Sequence, residues 1–439
     1  MMQPKEIAAM GLQIAQKKGA QSAAVSYNRS RNVSIDWRDG ALEKVEDGTT
    51  QSLSFELYVD GRYSVVSTSD LRKESLATFV ESAVATTRVL AEDKDRALPD
   101  PKYYQGLIEK DLHLMDPQQA SISPQLKRDL ARETEAAARS VKDNQHILSV
   151  SSQFSDSLDE TFRLHSNGFE GYQAGTTFFL SASVSVHDKD GKPEEFAYAG
   201  GRYFKTLPNP KTIGIEAAER TLARRGSSKG ASGKYTMIVE PRVAGRLLAM
   251  MRGPLSGRSL QQKQSYLEGK MGQSIASSLL TITDNPHRPS GFGSRLFDNE
   301  GMTAKALPII EKGVLRNYYL DTYYARKMEL QPTTGSTSNV ELALGDKDKN
   351  QWINTVKDGI LVTSFLGGNS NGLTGDFSLG IQGYMIRNGQ IAEPIGEMNL
   401  SGNLLPFFQN LIGVGNDPFL YSSLLAPTLV FDQVEIAGT

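Results

Sequence analysis

Residues 374–403, TGDFSLGIQGYMIRNGQIAEPIGEMNLSGN, decide the fold. Asn388-Gly389 separates two strand-like runs, 377–386 and 390–400. Asn-Gly readily takes the positive φ angles of a two-residue hairpin turn. Gly375, Gly380, Gly383, Gly396 and Gly402 interrupt the pattern. Glycine within a strand marks a bulge, or a place where another backbone or a ligand comes close. Two readings follow: a hairpin in a curved sheet, or a hairpin lining a groove for an extended peptide.

Working outward, a strand at 359–365 runs into Gly367-Gly368-Asn369, and a last strand is predicted at 428–436. Between them lies an apolar segment, 404–414, whose Phe407 and Phe408, with Phe419 beyond it, suit either a core or an interface. Upstream come a strand at 235–239, a helix at 241–251, a polar stretch at 260–272 expected to be mobile, a Lys312-Gly313 turn and a Tyr-rich helix at 321–328. GSSKGASG, residues 226–233, is the strongest linker signal.

The first half reads as helices at 4–18, 71–92 (capped by Ser69/Asp70), 124–142 and 212–225. Strands are predicted at 23–29, 32–38, 50–59 and 63–67, then at 149–156, 161–166, 171–186 and 195–204. Asn167-Gly168 and Asp190-Gly191 supply turns, and 93–104 reads as a charged, proline-bearing linker. Strands that run in meanders, instead of alternating with helices, indicate α+β. The expected organisation is an N-terminal α+β region, 1–225, with a subdivision near 93–122, then the linker 226–233 and a glycine-rich, β-rich domain, 234–439.

The chain has 439 residues, a formal net charge of −2 and no cysteine. Disulfides, thiolate ligands and a cysteine nucleophile are excluded, and the near-neutral charge argues against direct nucleic-acid contact. With no run of about 18 apolar residues, a soluble cytoplasmic chain without membrane contact is expected. The five histidines, His113, His146, His165, His187 and His287, are never within five residues of one another, and no HExxH occurs. No GxSxG elbow and no GxxxxGK[ST] phosphate loop is present either. Catalytic and metal-ligating residues of its own are therefore not predicted.

The 374–403 stretch resembles the signature region of the TldD/PmbA family, also described as modulators of DNA gyrase. GFGSRLFDNEG (291–301), GVLRNYYLDTYYARK (313–327) and SSLLAPTLVFDQVEIAG (422–438) extend the resemblance over nearly the whole chain. It implies one of two paralogous branches that pair in a metallopeptidase acting on small unstructured proteins and peptide precursors. The zinc-bearing branch carries HExxxH on the helix after the first strand of the C-terminal domain. In this chain Ala249 and Met250 stand where His-Glu would be, and Pro254 where the second His would be. Alanine, methionine and proline offer zinc no nitrogen or carboxylate ligand and no general base.

The resemblance therefore implies the PmbA/TldE branch: a non-catalytic subunit, with zinc expected in a TldD-type partner of a heterodimer and self-pairing in isolation. Gly368, Asn369, Thr374, Gly375, Asp376 and Phe377 are the candidate contacts to an extended peptide. The alternative is a binding protein that modulates DNA gyrase or another partner without peptidase activity.

Overall fold

The computed structural model describes residues 3–189 and 191–439, so the expected Asp190-Gly191 turn lies partly outside the described residues. The first half comprises α1 (Pro4–Lys17), β1 (Ser22–Arg38), β2 (Ala41–Val59), β3 (Arg62–Thr68), α2 (Lys73–Thr87), α3 (Pro124–Arg139), β4 (Ile147–His165), β5 (Glu170–Val186), β6 (Glu194–Gly201) and α4 (Pro210–Leu222). Its strands form one antiparallel sheet, β3-β2-β1-β4-β5-β6.

Alternation explains how the helices dock. Along β4 the even-numbered Val150, Phe154, Phe162 and Leu164 turn to one face. There α1 and α2 cover one end, over Val25, Leu53 and Phe55, while α3 and α4 cover the other, over Phe154, Phe178 and Leu180. The opposite face meets the second half of the chain through mixed contacts, polar at Arg163 and Gln173 and aromatic where Phe179 stacks on Phe292 and Tyr198 packs on Phe419.

Several expectations are corrected. Residues 23–38 are one strand, as are 149–165: β1 stays in register with both neighbours through Ser30 and Arg31. Polar side chains there do not mark a turn, because they pair across the sheet, Arg31 with Asp47 and Ser30 with Asp159. Helix α2 starts at Lys73, because Asp70 accepts from the Arg72 amide and guanidinium in a local turn. It ends at Thr87 and leaves Val89 exposed.

Nor is 93–104 a loose linker. The Arg326 guanidinium donates to the Asp95, Ala97 and Leu98 carbonyls, Tyr323 donates to Asp93, and Arg96 stacks on Tyr323. The polar 260–272 stretch is likewise packed: Ser265, Tyr266 and Leu267 are buried, and the Tyr266 amide donates to the Gly372 carbonyl.

The second half contains β7 (Gly233–Val239), α5 (Pro241–Arg252), α6 (Gly257–Gln261), β8 (Ile282–Asp284), β9 (Leu307–Glu311), β10 (Val314–Leu315), α7 (Thr322–Lys327), β11 (Val340–Leu342), α8 (Lys349–Ile353), β12 (Asp358–Ser370), β13 (Asp376–Arg387), β14 (Gln390–Asn403), α9 (Leu404–Gln409), β15 (Leu411–Val414), β16 (Leu424–Leu425) and β17 (Leu429–Ala437). The expected hairpin is β13–β14, and Asn388-Gly389 turns with φ of +50° and +79°.

Strand order in the larger sheet is β14-β13-β12-β7-β17-β15, and β14 pairs again with β17 through Asn399–Ala437 and Leu400–Ile436. The sheet thus curls into a closed ring, which accounts for the glycines. At Gly383 a Cβ would lie 1.8 Å from the Leu361 carbonyl oxygen, with register shifts on both sides. The remaining edge of β14 is partly covered by the 226–233 segment, whose Ser228 carbonyl accepts from the Gly396 amide. A smaller sheet, β10-β9-β8-β11-β16, stands beside the ring. Phe407 and Phe408 belong to the shared core, and Phe419 is half-buried against Tyr198 and Tyr421.

Candidate functional site

Helix α5 lies between the ring and the small sheet. Pro241 at its first turn suits the fixed φ of a helix start. Its buried side, Leu247, Leu248, Met250 and Met251, joins the core that holds Met237, Ile282 and Ile309. The preceding residue, Glu240, is buried and gripped by Arg220 of α4, with Nη2 to Oε1 at 2.5 Å and Nη1 to Oε2 at 3.2 Å. The start of α5 is therefore fixed to the N-terminal half by a charge-assisted fork.

The three positions singled out on this helix differ in surroundings. Ala249 is exposed, Met250 is in the core, and Pro254 is buried just past the helix end, its carbonyl accepting from Ser265 Oγ at 2.6 Å. Beside Ala249 opens a cavity of about 110 Å³, walled by Leu248, Met251, Leu255, Ile282, Ile309, Val340 and Leu424. Arg252, Tyr319, Thr337 and Ser423 are its polar lining.

Tyr319 Oη donates to Asp284 Oδ2 at 3.0 Å, and the Ser338 amide and hydroxyl bind the same buried carboxylate. Burial, reinforced by Asp284, pushes the Tyr319 hydroxyl far above the ordinary phenol range. These residues do not fit a zinc ion. The cavity wall has no His, Asp, Glu or Cys, and the Arg252 cation at its rim would repel a metal. No group of three or more such side chains placed to hold a metal occurs among the described residues.

The candidate peptide contacts gather at the β12–β13 end of the ring. Register sets Asn369 opposite Ser378 and Ser370 opposite Phe377. Thr374 Oγ1 donates to Asp376 Oδ2 at 2.6 Å, and Asn403 Nδ2 donates to Asp376 Oδ1 at 2.9 Å. Those two bonds hold the Asp376 carboxyl below its usual range. Gly368, Asn369, Thr374 and Asp376 are exposed. Gly375 and Phe377 are buried, and Phe377 stacks edge-on against Phe407 at 5.1 Å, so its side chain is part of the core and faces no groove. The tip is near the end of α5: a Cβ on Gly372 would lie 3.8 Å from Pro254 Cγ.

A second, polar cleft of about 260 Å³ separates the first sheet from residues 292–299 and meets the α5 cavity at Thr337. Arg163 and Gln173 face Arg295 and Asp298 across it. The conspicuous 291–301 sequence is the scaffold here: Arg295 forks onto Ser336 and Thr334, and Asn339 ties Gly293 to Asn285.

Glu300 ends this segment and caps α7, accepting from the Thr322 amide at 2.8 Å and hydroxyl at 2.6 Å. Burial, with Asp298 and Asp321 nearby, raises its carboxyl to about 7. The folded state thus holds a proton that the unfolded chain releases near pH 4.5, so the stability from this group is present at low pH and lost as pH rises toward 7. Glu300→Gln is expected to gain about 3 kcal/mol at pH 8 and less than about 1 kcal/mol at pH 5. Urea midpoints at the two pH values check this, and equal changes at both would refute it.

The histidines take no part in a common site. His165 is buried, accepts from Arg163 Nε at 2.8 Å and bonds Tyr104 Oη at 2.9 Å. Burial and the Arg163 charge lower it to about 3, so it is neutral. His113 pairs with Asp111 on the surface. Sequence reasoning did not single out Arg252, Tyr319 or Glu300. Arg252 looks like any cation at a helix end, and only the fold brings Tyr319 to it.

Three family models match in sequence order. PmbA/TldA metallopeptidase domain 1 covers residues 23–87, the central domain 117–225 and the C-terminal domain 232–438. The metalloprotease PmbA of Escherichia coli O157:H7 is 29% identical over 437 residues, covering 99% of this chain and 96% of the relative. A crystal structure from Bacteroides thetaiotaomicron, described as a candidate modulator of DNA gyrase, superposes with a TM-score of 0.96 at 40% identity and 99% coverage of both chains. TldE from Thermococcus kodakarensis shares the fold, with a TM-score of 0.87 at 19% identity, covering 97% of this chain and 99% of that one.

Proposed function

This chain belongs to the PmbA/TldD metallopeptidase family, and on that premise we propose that it is the non-catalytic member of a two-chain peptidase. The observation that carries the proposal is the chemistry around α5. Ala249, Met250 and Pro254 stand at the motif positions, and an apolar cavity with an arginine at its rim adjoins them. A zinc ion and the water it activates would have to come from a TldD-type partner.

In this reading the chain completes a heterodimer, pairs with itself when alone, and helps present small unstructured proteins or peptide precursors in extended form. Gly368, Asn369, Thr374 and Asp376 are its exposed contacts, supported by their place beside the end of α5. Residues 226–233 are the proposed boundary between its two main regions. No helix among the described residues is long and apolar enough to cross a membrane.

The test is co-expression with a TldD-type chain, followed by sizing, metal analysis and peptide hydrolysis on the pair and on each chain alone. The expected result is a stable one-to-one complex whose zinc depends on the partner, with hydrolysis in the complex and none from this chain. Stoichiometric zinc and peptide cleavage by this chain alone would overturn the proposal.

A further inference from the structure

The cavity beside α5, which bears on the proposed subunit role by lacking metal ligands, also has the shape and lining of a binding site. It is small, about 110 Å³, and its walls are aliphatic, from Leu248, Leu255, Ile282, Ile309, Val340 and Leu424. Cavities of ~150 Å³ with such walls stay dry and take up benzene. This one suits a branched aliphatic side chain and is too small for an indole. Ala249 is short enough to leave the mouth open.

The rim carries polar groups with nothing to bind. The Thr337 and Ser423 carbonyls are engaged by Arg295 and the Val340 amide, but their hydroxyls have no partner among the described residues, nor does the exposed Arg252 guanidinium. Arg252 stands at the open mouth with no acid beside it among the described residues, whereas Arg220 and Arg224 are met by Glu240 and Glu195. An apolar hollow with a few converging polar groups is the general form of a small-ligand site. An unpaired guanidinium calls for a carboxylate.

We propose that this cavity binds the carboxyl terminus of a peptide whose last residue is leucine, isoleucine or valine. The aliphatic side chain fills the hollow, the terminal carboxylate lies on Arg252, and the Thr337 and Ser423 hydroxyls complete its hydrogen bonds. The idea deepens the peptide-presenting role proposed above: a site that anchors a chain by its end would hold the rest extended toward a partner. The site rests on geometry of this chain alone, so it is tested without a partner.

Fluorescence anisotropy on the isolated chain would use an N-terminally labelled alanine-glycine hexapeptide ending in leucine, its carboxamide, and the same peptide ending in aspartate. The free carboxylate of the leucine peptide is expected to bind about tenfold more tightly than the carboxamide and the aspartate peptide. Arg252→Gln should abolish the preference over the carboxamide while leaving circular dichroism unchanged. Ala249→Phe, on an exposed helical position, should close the mouth and weaken both leucine peptides alike. Equal affinity for carboxylate and carboxamide would overturn the proposal, as would an unaltered preference in Arg252→Gln. Displacement of the peptide by free leucine at the same concentration as by unlabelled peptide would also overturn it, by making the amino acid the ligand. Failure of a partner to co-purify would leave these binding results standing, so the two proposals fail separately.

Discussion

Lys127→Met is expected to destabilise the N-terminal half by about 3–5 kcal/mol at pH 7. Lys127 on α3 reaches Asp156 on β4 with Nζ to Oδ2 at 2.5 Å, and the two side chains are 7% and 0% exposed. Asp156 Oδ1 accepts from Gln119 Nε2 at 2.6 Å. The pair therefore joins helix, sheet and the turn before α3 at one buried point. Removing the ammonium leaves a carboxylate out of water with one neutral donor.

Lys127→Met combined with Asp156→Leu should recover most of the loss, because the cost lies in the orphaned charge and not in the missing pair. Urea unfolding at pH 7 measures these differences, with hydrogen exchange locating the weakened region in α3 and β4. A single variant within 1 kcal/mol of the parent at pH 7 would show that the site admits water.

The same pair shows what sequence patterns reveal and what they hide. Lys127 sits in a helix rich in Ala, Arg and Glu, where a solvated lysine is the ordinary expectation. Its burial exists only because Asp156 faces the same layer. Asn388-Gly389 and the start of α3 at Ser123-Pro124 were legible because turn and cap chemistry is local. The lengths of β1 and β4 were not. Polar runs at 28–32 and, apart from Leu158, at 155–161 interrupt their apolar alternation, while β2, which also begins earlier than expected, is exposed throughout residues 41–51.

The candidate site divides the same way. The position of α5 and its three departures from the metal motif could be placed from the resemblance. The cavity beside them could not, since its wall is drawn from α5, β8, β9 and residues 319–340 and 423–424, which only the fold brings together. The raised carboxyl of Glu300 was equally hidden, because it arises from burial and from Asp298 and Asp321 nearby.

Gly383→Ala is expected to cost about 4 kcal/mol, a large value for one added methyl group. Gly383 lies in β13 between β12 and β14, paired with Val362 on one side and Ile395 on the other. A Cβ there would be 1.8 Å from the Leu361 carbonyl oxygen and 3.1 Å from the Thr363 amide nitrogen, the closest approach among the described glycines. Both neighbours are backbone, so no rotamer change makes room. To clear the methyl group β12 must move by more than an ångström. Leu361 is also paired with Ile238 on β7, so the displacement passes to the other side of the ring.

Gly402→Ala is the control. Its Cβ would first meet Phe377 at 3.6 Å, an ordinary contact, so it should leave stability within about 0.5 kcal/mol of the parent or raise it slightly. Thermal and urea unfolding of the three proteins make the comparison. Because the 368–377 tip hangs from the same two strands, Gly383→Ala should also loosen the Asp376–Asn403 bond, seen as faster exchange at the tip amides. A Gly383→Ala protein that melts with the parent would mean that β12 and β13 are not held at this spacing. The glycines of the signature stretch would then return to being candidates for close approach by a peptide.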